Sequence, residues 1–166
     1  NKAIQLDPDY DKAYDKLLEF ASEYGTVTDR LAARSLYLKR FSSDPDSAYE
    51  LARNWHRQDM YAQAIEWYKK AIDFGKNDDW SYYWLGKAFH ESENPDQALL
   101  NYTFALEKDA DHKFAHLRLA ELYEALTNTE KAYFHYKKVL EIDPDYDRNA
   151  EIRKKLSLLK KQEVQS

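Results

Sequence analysis

Tyr49, Trp80, Tyr83, Trp84, Phe114 and Leu117 are the residues whose types and spacing most invite chemistry, and that chemistry is binding. Large apolar side chains clustered on a surface mark a contact site, because apolar area left in water carries a free-energy cost. Tyr, Trp and Arg also dominate binding hot spots. Arg53, Lys87 and Arg118 are interleaved with the aromatics and could pair with acidic groups or backbone carbonyls of a bound segment. His56, His90 and Glu121 fall beside them. The competing expectation is that some of these aromatics pack within the array, Trp84 foremost.

Other chemistries are poorly supplied. No cysteine is present, so there is no disulfide framework, thiolate nucleophile or cysteine zinc site. That absence fits a cytoplasmic protein and equally a periplasmic one. His112 and His116 are spaced i, i+4, with His116 on the core side of its helix, and surface histidines are the expectation elsewhere; no metal site follows. The acidic runs from Asp7 and from Asp143 lack the glycine of a calcium loop, and their twelfth places hold Leu18 and Lys154. Carboxylates that favour helix starts explain them better. The Asn101-Tyr102-Thr103 sequon lies on a helix with Tyr102 in the core, so it should be silent. There is no Gly-rich phosphate loop, no paired-carboxylate cleft and no Ser/His/Asp order. The expectation is a non-enzyme without a cofactor.

Helices must position the candidate face. The chain has 166 residues, 14 Tyr, 7 Phe and 4 Trp against only 3 Gly and 4 Pro, which argues for long helical stretches with short turns. Its net charge of −5 disfavours nucleic acid as a partner. No apolar run approaches the ~20 residues that cross a bilayer.

Laid in windows of 34 residues from Asp11, Pro45, Asp79 and Lys113, the chain aligns without gaps. One column reads Leu17, Leu51, Leu85, Leu119, and the next Leu18, Ala52, Gly86, Ala120. Later columns read Ala64, Ala98, Ala132, then Tyr68, Tyr102, Tyr136. Tyr82, Leu85, Gly86 and Phe89 form one helical stripe; Ala98, Tyr102, Ala105 and Leu106 form a second. Ser92-Glu93-Asn94-Pro95 between them is turn material. Each window therefore predicts an antiparallel helical hairpin, small residues lying where backbones approach and aromatics filling the gaps. A hairpin cannot bury its apolar faces alone, so neighbours must stack.

Period and columns resemble the tetratricopeptide repeat family, closely from Pro45 to Tyr146. The resemblance implies an all-α, right-handed superhelical solenoid whose concave face binds a partner segment. The expected divisions are a truncated repeat at 1–10, an irregular repeat at 11–44, repeats at 45–78, 79–112 and 113–146, a capping helix at 147–161 and a tail at 162–166. Asn1 to Pro8 reads like a helix end closed by proline, as Lys138 to Pro144 does, which suggests a piece of a longer chain. In the irregular repeat, Arg30 and Arg34 stand where small and aromatic residues belong. A longer turn at Tyr24 to Thr28 and a shifted register through Ala33, Tyr37 and Phe41 are expected there. One subclass of the family grips chaperone carboxylates with a Lys/Asn/Arg clamp. Only Arg118 stands in such a slot here, while Tyr49, Arg53, Trp84 and Phe114 replace the others, so that ligand is not expected. The expected partner is a protein or peptide with aromatic or aliphatic anchors and acidic groups; the alternative is a self-associating scaffold.

Overall fold

The computed structural model of the chain describes residues 11–163, with side-chain surroundings over 12–161. The expected truncated repeat at 1–10 lies outside these residues, as does the tail beyond Glu163. Helices α1 (Asp11–Tyr24), α2 (Val27–Phe41), α3 (Pro45–His56) and α4 (Tyr61–Asp73) belong to a first compact unit, which ends at Asn77. A second unit begins at Asp78 and holds α5 (Asp79–Glu91), α6 (Pro95–Lys108), α7 (Lys113–Ala125), α8 (Thr129–Ile142) and α9 (Asn149–Glu163). Among the described residues there is no strand. Within each unit, helices consecutive in the chain pack on one another.

The helix starts are written into the sequence. Asp44 and Asp78 cap α3 and α5 through their carboxylates, accepting from Ser47 N at 2.7 Å and Ser81 N at 2.8 Å. Asn94 and Asn128 cap α6 and α8, and Pro45 and Pro95 occupy first-turn positions where a missing N–H costs nothing. Helix α3 ends with Met60 N donating to Trp55 O and Asp59 N to His56 O. Glu93–Asn94 and Thr127–Asn128 close α5 and α7 with the same bond pair. Asp59, Glu93 and Thr127 take the left-handed φ these closures require, 56°, 59° and 57°.

Inside, the periodic columns are the core. Tyr68, Tyr102 and Tyr136 are fully buried, as are Ala64, Ala98 and Ala132 one turn before them. Gly86 stands against the Tyr102 ring so closely that a methyl group there would come within 2.9 Å of it. In the second unit Leu117, Ala120, Ala132, Tyr136 and Val139 form one cluster with Ile152 and Leu159 of α9. That helix caps the cluster with its apolar side and turns Arg153, Lys154, Lys160 and Lys161 to water.

Two details differ from expectation. The first hairpin's turn is short, only Gly25 and Thr26 separating its helices. Thr26 accepts from Asp29 N while Asp29 accepts from Thr26 N, and Arg30 Nη1 donates to Gly25 O at 2.8 Å. The register of α2 does shift: Leu31, Ser35 and Leu38 are buried, each one residue beyond the column held elsewhere by alanine and tyrosine, and Ala33 is buried with them. Arg30 and Arg34 thereby reach solvent. Helix α9 starts at Asn149 instead of Asp147, because Asp143 to Arg148 is consumed in turns bonded Tyr146 N to Asp143 O and Asn149 N to Tyr146 O.

Candidate functional site

In the second unit, α5 and α7 bring seven of the candidate residues into one group of rings and ions. Trp80, in the first turn of α5, is 43% exposed. Its ring lies 5.6 Å from Tyr83 and 5.8 Å from Phe114 on α7. Tyr83 also neighbours Trp84 at 5.6 Å and Phe114 at 6.2 Å. Lys87, one turn on, sits 4.9 Å from the Trp84 ring and 3.5 Å from Glu91. Arg118 Nη1 bonds Glu121 at 2.7 Å, and Glu121 accepts from Arg148 Nη1 at 3.2 Å as well. Trp80 is exposed and Trp84 and Phe114 are half-buried, the three forming the apolar part of the surface.

Tyr49, Tyr83 and Leu117 depart from the expected surface strip, all three being buried. Tyr83 is 6% exposed and Leu117 2%, the latter inside the core cluster. One turn of helix explains this: Tyr83 follows Trp80 by three residues and rotates far enough inward to pack on Tyr102 at 5.8 Å. Burial pushes the Tyr83 hydroxyl to a higher pKa, an effect that Arg118 partly opposes. Burial also works against the charge on Arg118, but Glu121 and Tyr83 outweigh it and hold the guanidinium firmly protonated. His90, half-buried, is held neutral at lower pH than usual by burial and then by Arg118.

The first unit carries the remaining candidates. Tyr49 is buried against Tyr68 at 5.7 Å, with Arg53 6.0 Å and Lys76 5.1 Å from its ring. Arg53 Nη1 reaches Glu50 at 3.2 Å. His56 is buried, edge-on to Tyr61 and Tyr68. Arg53, Lys87 and Arg118, expected to await a ligand's acids, thus each already face a carboxylate three or four residues away. A different apolar patch lies on α1 and α2, where Phe20 (62% exposed), Tyr24 (69%) and Leu36 line a groove of about 320 Å³.

His116 is inside, as its place on the core side of the helix predicts, and His56 and His112, expected on the surface, are inside as well. His112 and His116 are buried, and His135 is half-buried. His112 replaces a carboxylate as the cap of α7, its Nδ1 accepting from Ala115 N at 3.3 Å. In the neutral ring the proton is therefore on Nε2, which points toward Asp79 at 3.7 Å. The ring stacks on Tyr83 at 5.1 Å and lies 4.6 Å from Trp80, so it supports the exposed tryptophan from beneath. Lys113 places its ammonium 4.9 Å from Phe114 and 4.3 Å from Tyr146, and bonds Asp143. Lys113 is not singled out in the sequence, and His112 is weighed there only as a metal ligand, although Asp44, Asp78 and His112 share one 34-residue column of helix caps. Among the described residues no group of three or more His, Asp or Glu is placed to hold a metal ion.

Alternating, capped helical hairpins of this kind, with small residues at their contacts, define an all-α repeat protein. A TPR repeat model matches residues 56–93 and a tetratricopeptide repeat model residues 89–156, together more than half of the chain. The chain belongs to the tetratricopeptide repeat family. Comparison with curated protein sequences finds no match. Solved structures share the fold. YrrB, described as a TPR protein with an unusual peptide-binding site, is 20% identical, with 98% of this chain and 82% of that one covered and a TM-score of 0.68. The first TPR of Spaghetti (RPAP3), bound to HSP90 peptide SRMEEVD, is 21% identical over 74% of this chain and 97% of that one, with a TM-score of 0.63. A tetratricopeptide repeat protein from Parabacteroides merdae is 17% identical over 91% of this chain and 61% of that one, with a TM-score of 0.71. Among the described residues no helix is long and apolar enough to cross a membrane.

Proposed function

We propose that this chain is a protein-interaction module and that the second unit holds a partner's peptide segment against Trp80, Trp84 and Phe114. The observation that carries the reading is Trp80: a tryptophan left 43% exposed yet fixed from beneath by His112, Tyr83 and Phe114. A rigid, half-open aromatic anchor loses little conformational entropy on binding, which is the character of a hot spot. Lys87, Arg118 and Arg148 flank it, each sharing a carboxylate, so an acidic ligand group would have to compete with Glu91, Glu121 or Glu151. The anchors therefore supply affinity and the ion pairs supply selectivity. Peptide binding by YrrB and by the Spaghetti repeat domain supports the general reading, while the aromatic and arginine substitutions in the clamp slots argue for a different ligand from SRMEEVD.

The test is a peptide selected from a displayed random library against the full chain. Trp80→Ala with Phe114→Ala should weaken it by at least about tenfold, the loss expected of hot-spot residues. Leu100→Ala with Phe134→Ala, exposed apolar residues on α6 and α8, should leave affinity unchanged. Equal loss in both pairs would defeat the assignment. Self-association is a second reading, favoured by the exposed Phe20 and Tyr24 beside their groove. It requires a concentration-dependent sedimentation coefficient that Phe20→Ser abolishes.

A further inference from the structure

His116 on α7 and His135 on α8 meet ring to ring inside the last hairpin, their Nδ1 atoms 2.8 Å apart. His116 is buried, and its Nε2 lies 3.0 Å from Ala110 O. A carbonyl oxygen only accepts, so Nε2 of His116 carries a proton and its Nδ1, in the neutral ring, is an acceptor. Nδ1 of His135 must then be the donor. The whole chain of bonds, His135 to His116 to Ala110, needs at least one of the two rings neutral, because two imidazolium rings leave no acceptor between the Nδ1 atoms. It ties α8 to α7 and to the connection that precedes α7.

The surroundings favour that state. His135 stacks on Tyr123, the rings 5.7 Å apart and 8° from parallel, and touches Phe134 edge-on. The charged and titratable groups that act on the pair are Lys131 and Lys138 from α8, Asp111 from the connection and His112 at the cap of α7. The lysines and His112 oppose a further positive charge; Asp111 weakly favours it. Burial and then His116 and Lys131 pull His135 down to about 4, and burial lowers His116 too.

We infer that the His116–His135 pair is a proton-operated latch, which fastens the last hairpin when neutral and releases it on acidification. A first proton enters on the outer nitrogen of His135 with the bond retained, at the cost of a charge beside Lys131. A second, on His116, sets two N–H donors against each other, and the bond cannot exist. The sign follows from linkage. Folded-state values lie below the ordinary 6.5, so the unfolded chain binds more protons between about pH 6.5 and 4, and stability falls as pH falls through that window. Helix α7 also carries Phe114 and Arg118, so release would loosen the proposed binding face; that consequence alone rests on the reading above.

The test is urea unfolding of the full chain at pH 7 and pH 5, wild type against His116→Gln with His135→Gln. The amides can still bond but do not titrate. Going to pH 5, the wild type should lose about tenfold more in its folding equilibrium than the variant, after discounting for the half-buried position of His135. Equal pH dependence would overturn the latch. A second measurement needs no variant: imidazole proton resonances of His116 and His135 should remain those of neutral rings at pH 6. Titration of both near 6.5 would overturn it independently of any folding defect.

Discussion

Tyr102 and Tyr136 stand 34 residues apart, both fully buried, and their hydroxyls meet different surroundings. Tyr136 donates to Glu124 at 2.6 Å and receives Lys155 Nζ at 3.0 Å, tying α7, α8 and α9 together. The Tyr102 hydroxyl has no hydrogen-bond partner among the described groups. Removing an unpaired buried hydroxyl costs little, whereas removing one that bridges a carboxylate and an ammonium leaves both less satisfied. Tyr136→Phe should therefore destabilise by about 1–2 kcal/mol, and Tyr102→Phe by less than about 0.5 kcal/mol, or stabilise. Urea midpoints of the two variants check this. The equivalence of the tyrosines was legible as a column, but the difference was not, because it depends on Glu124 and Lys155 from other helices.

At the scale of elements, the helix closures carry a strain that can be measured. Thr127 takes φ 57° at the end of α7, a conformation in which a β-branched side chain crowds its own backbone. Thr127→Gly should raise stability by about 0.5–1 kcal/mol in urea unfolding, since glycine adopts that φ without a Cβ penalty. A lower midpoint would show that the threonine hydroxyl does something unaccounted for. Helix starts were readable because caps and prolines are local signals. The short turn of the first hairpin is not legible in the sequence, because Tyr24-Gly25-Thr26 looks like loop, whereas the Thr26–Asp29 capping box begins a helix at once. Leu117 and Tyr83 were placed on the surface because a stripe read at helical spacing has soft edges, and only the packing of α6 and α8 decides which residues at its border are covered.

At the scale of the molecule, the 34-residue period carries the class of fold, and the lack of cysteine leaves no thiolate for chemistry. A single face of function was harder to read. The four tryptophans provide a built-in comparison: Trp55 bonds Ser35 Oγ at 3.1 Å and Trp67 is 1% exposed, both in the first unit, while Trp80 and Trp84 belong to the proposed face of the second. Titrating the selected peptide into the full chain while recording the indole N–H resonances tests the central claim directly. The Trp80 and Trp84 signals should move with saturation while those of Trp55 and Trp67 stay in place; movement confined to Trp55 and Trp67 would contradict it.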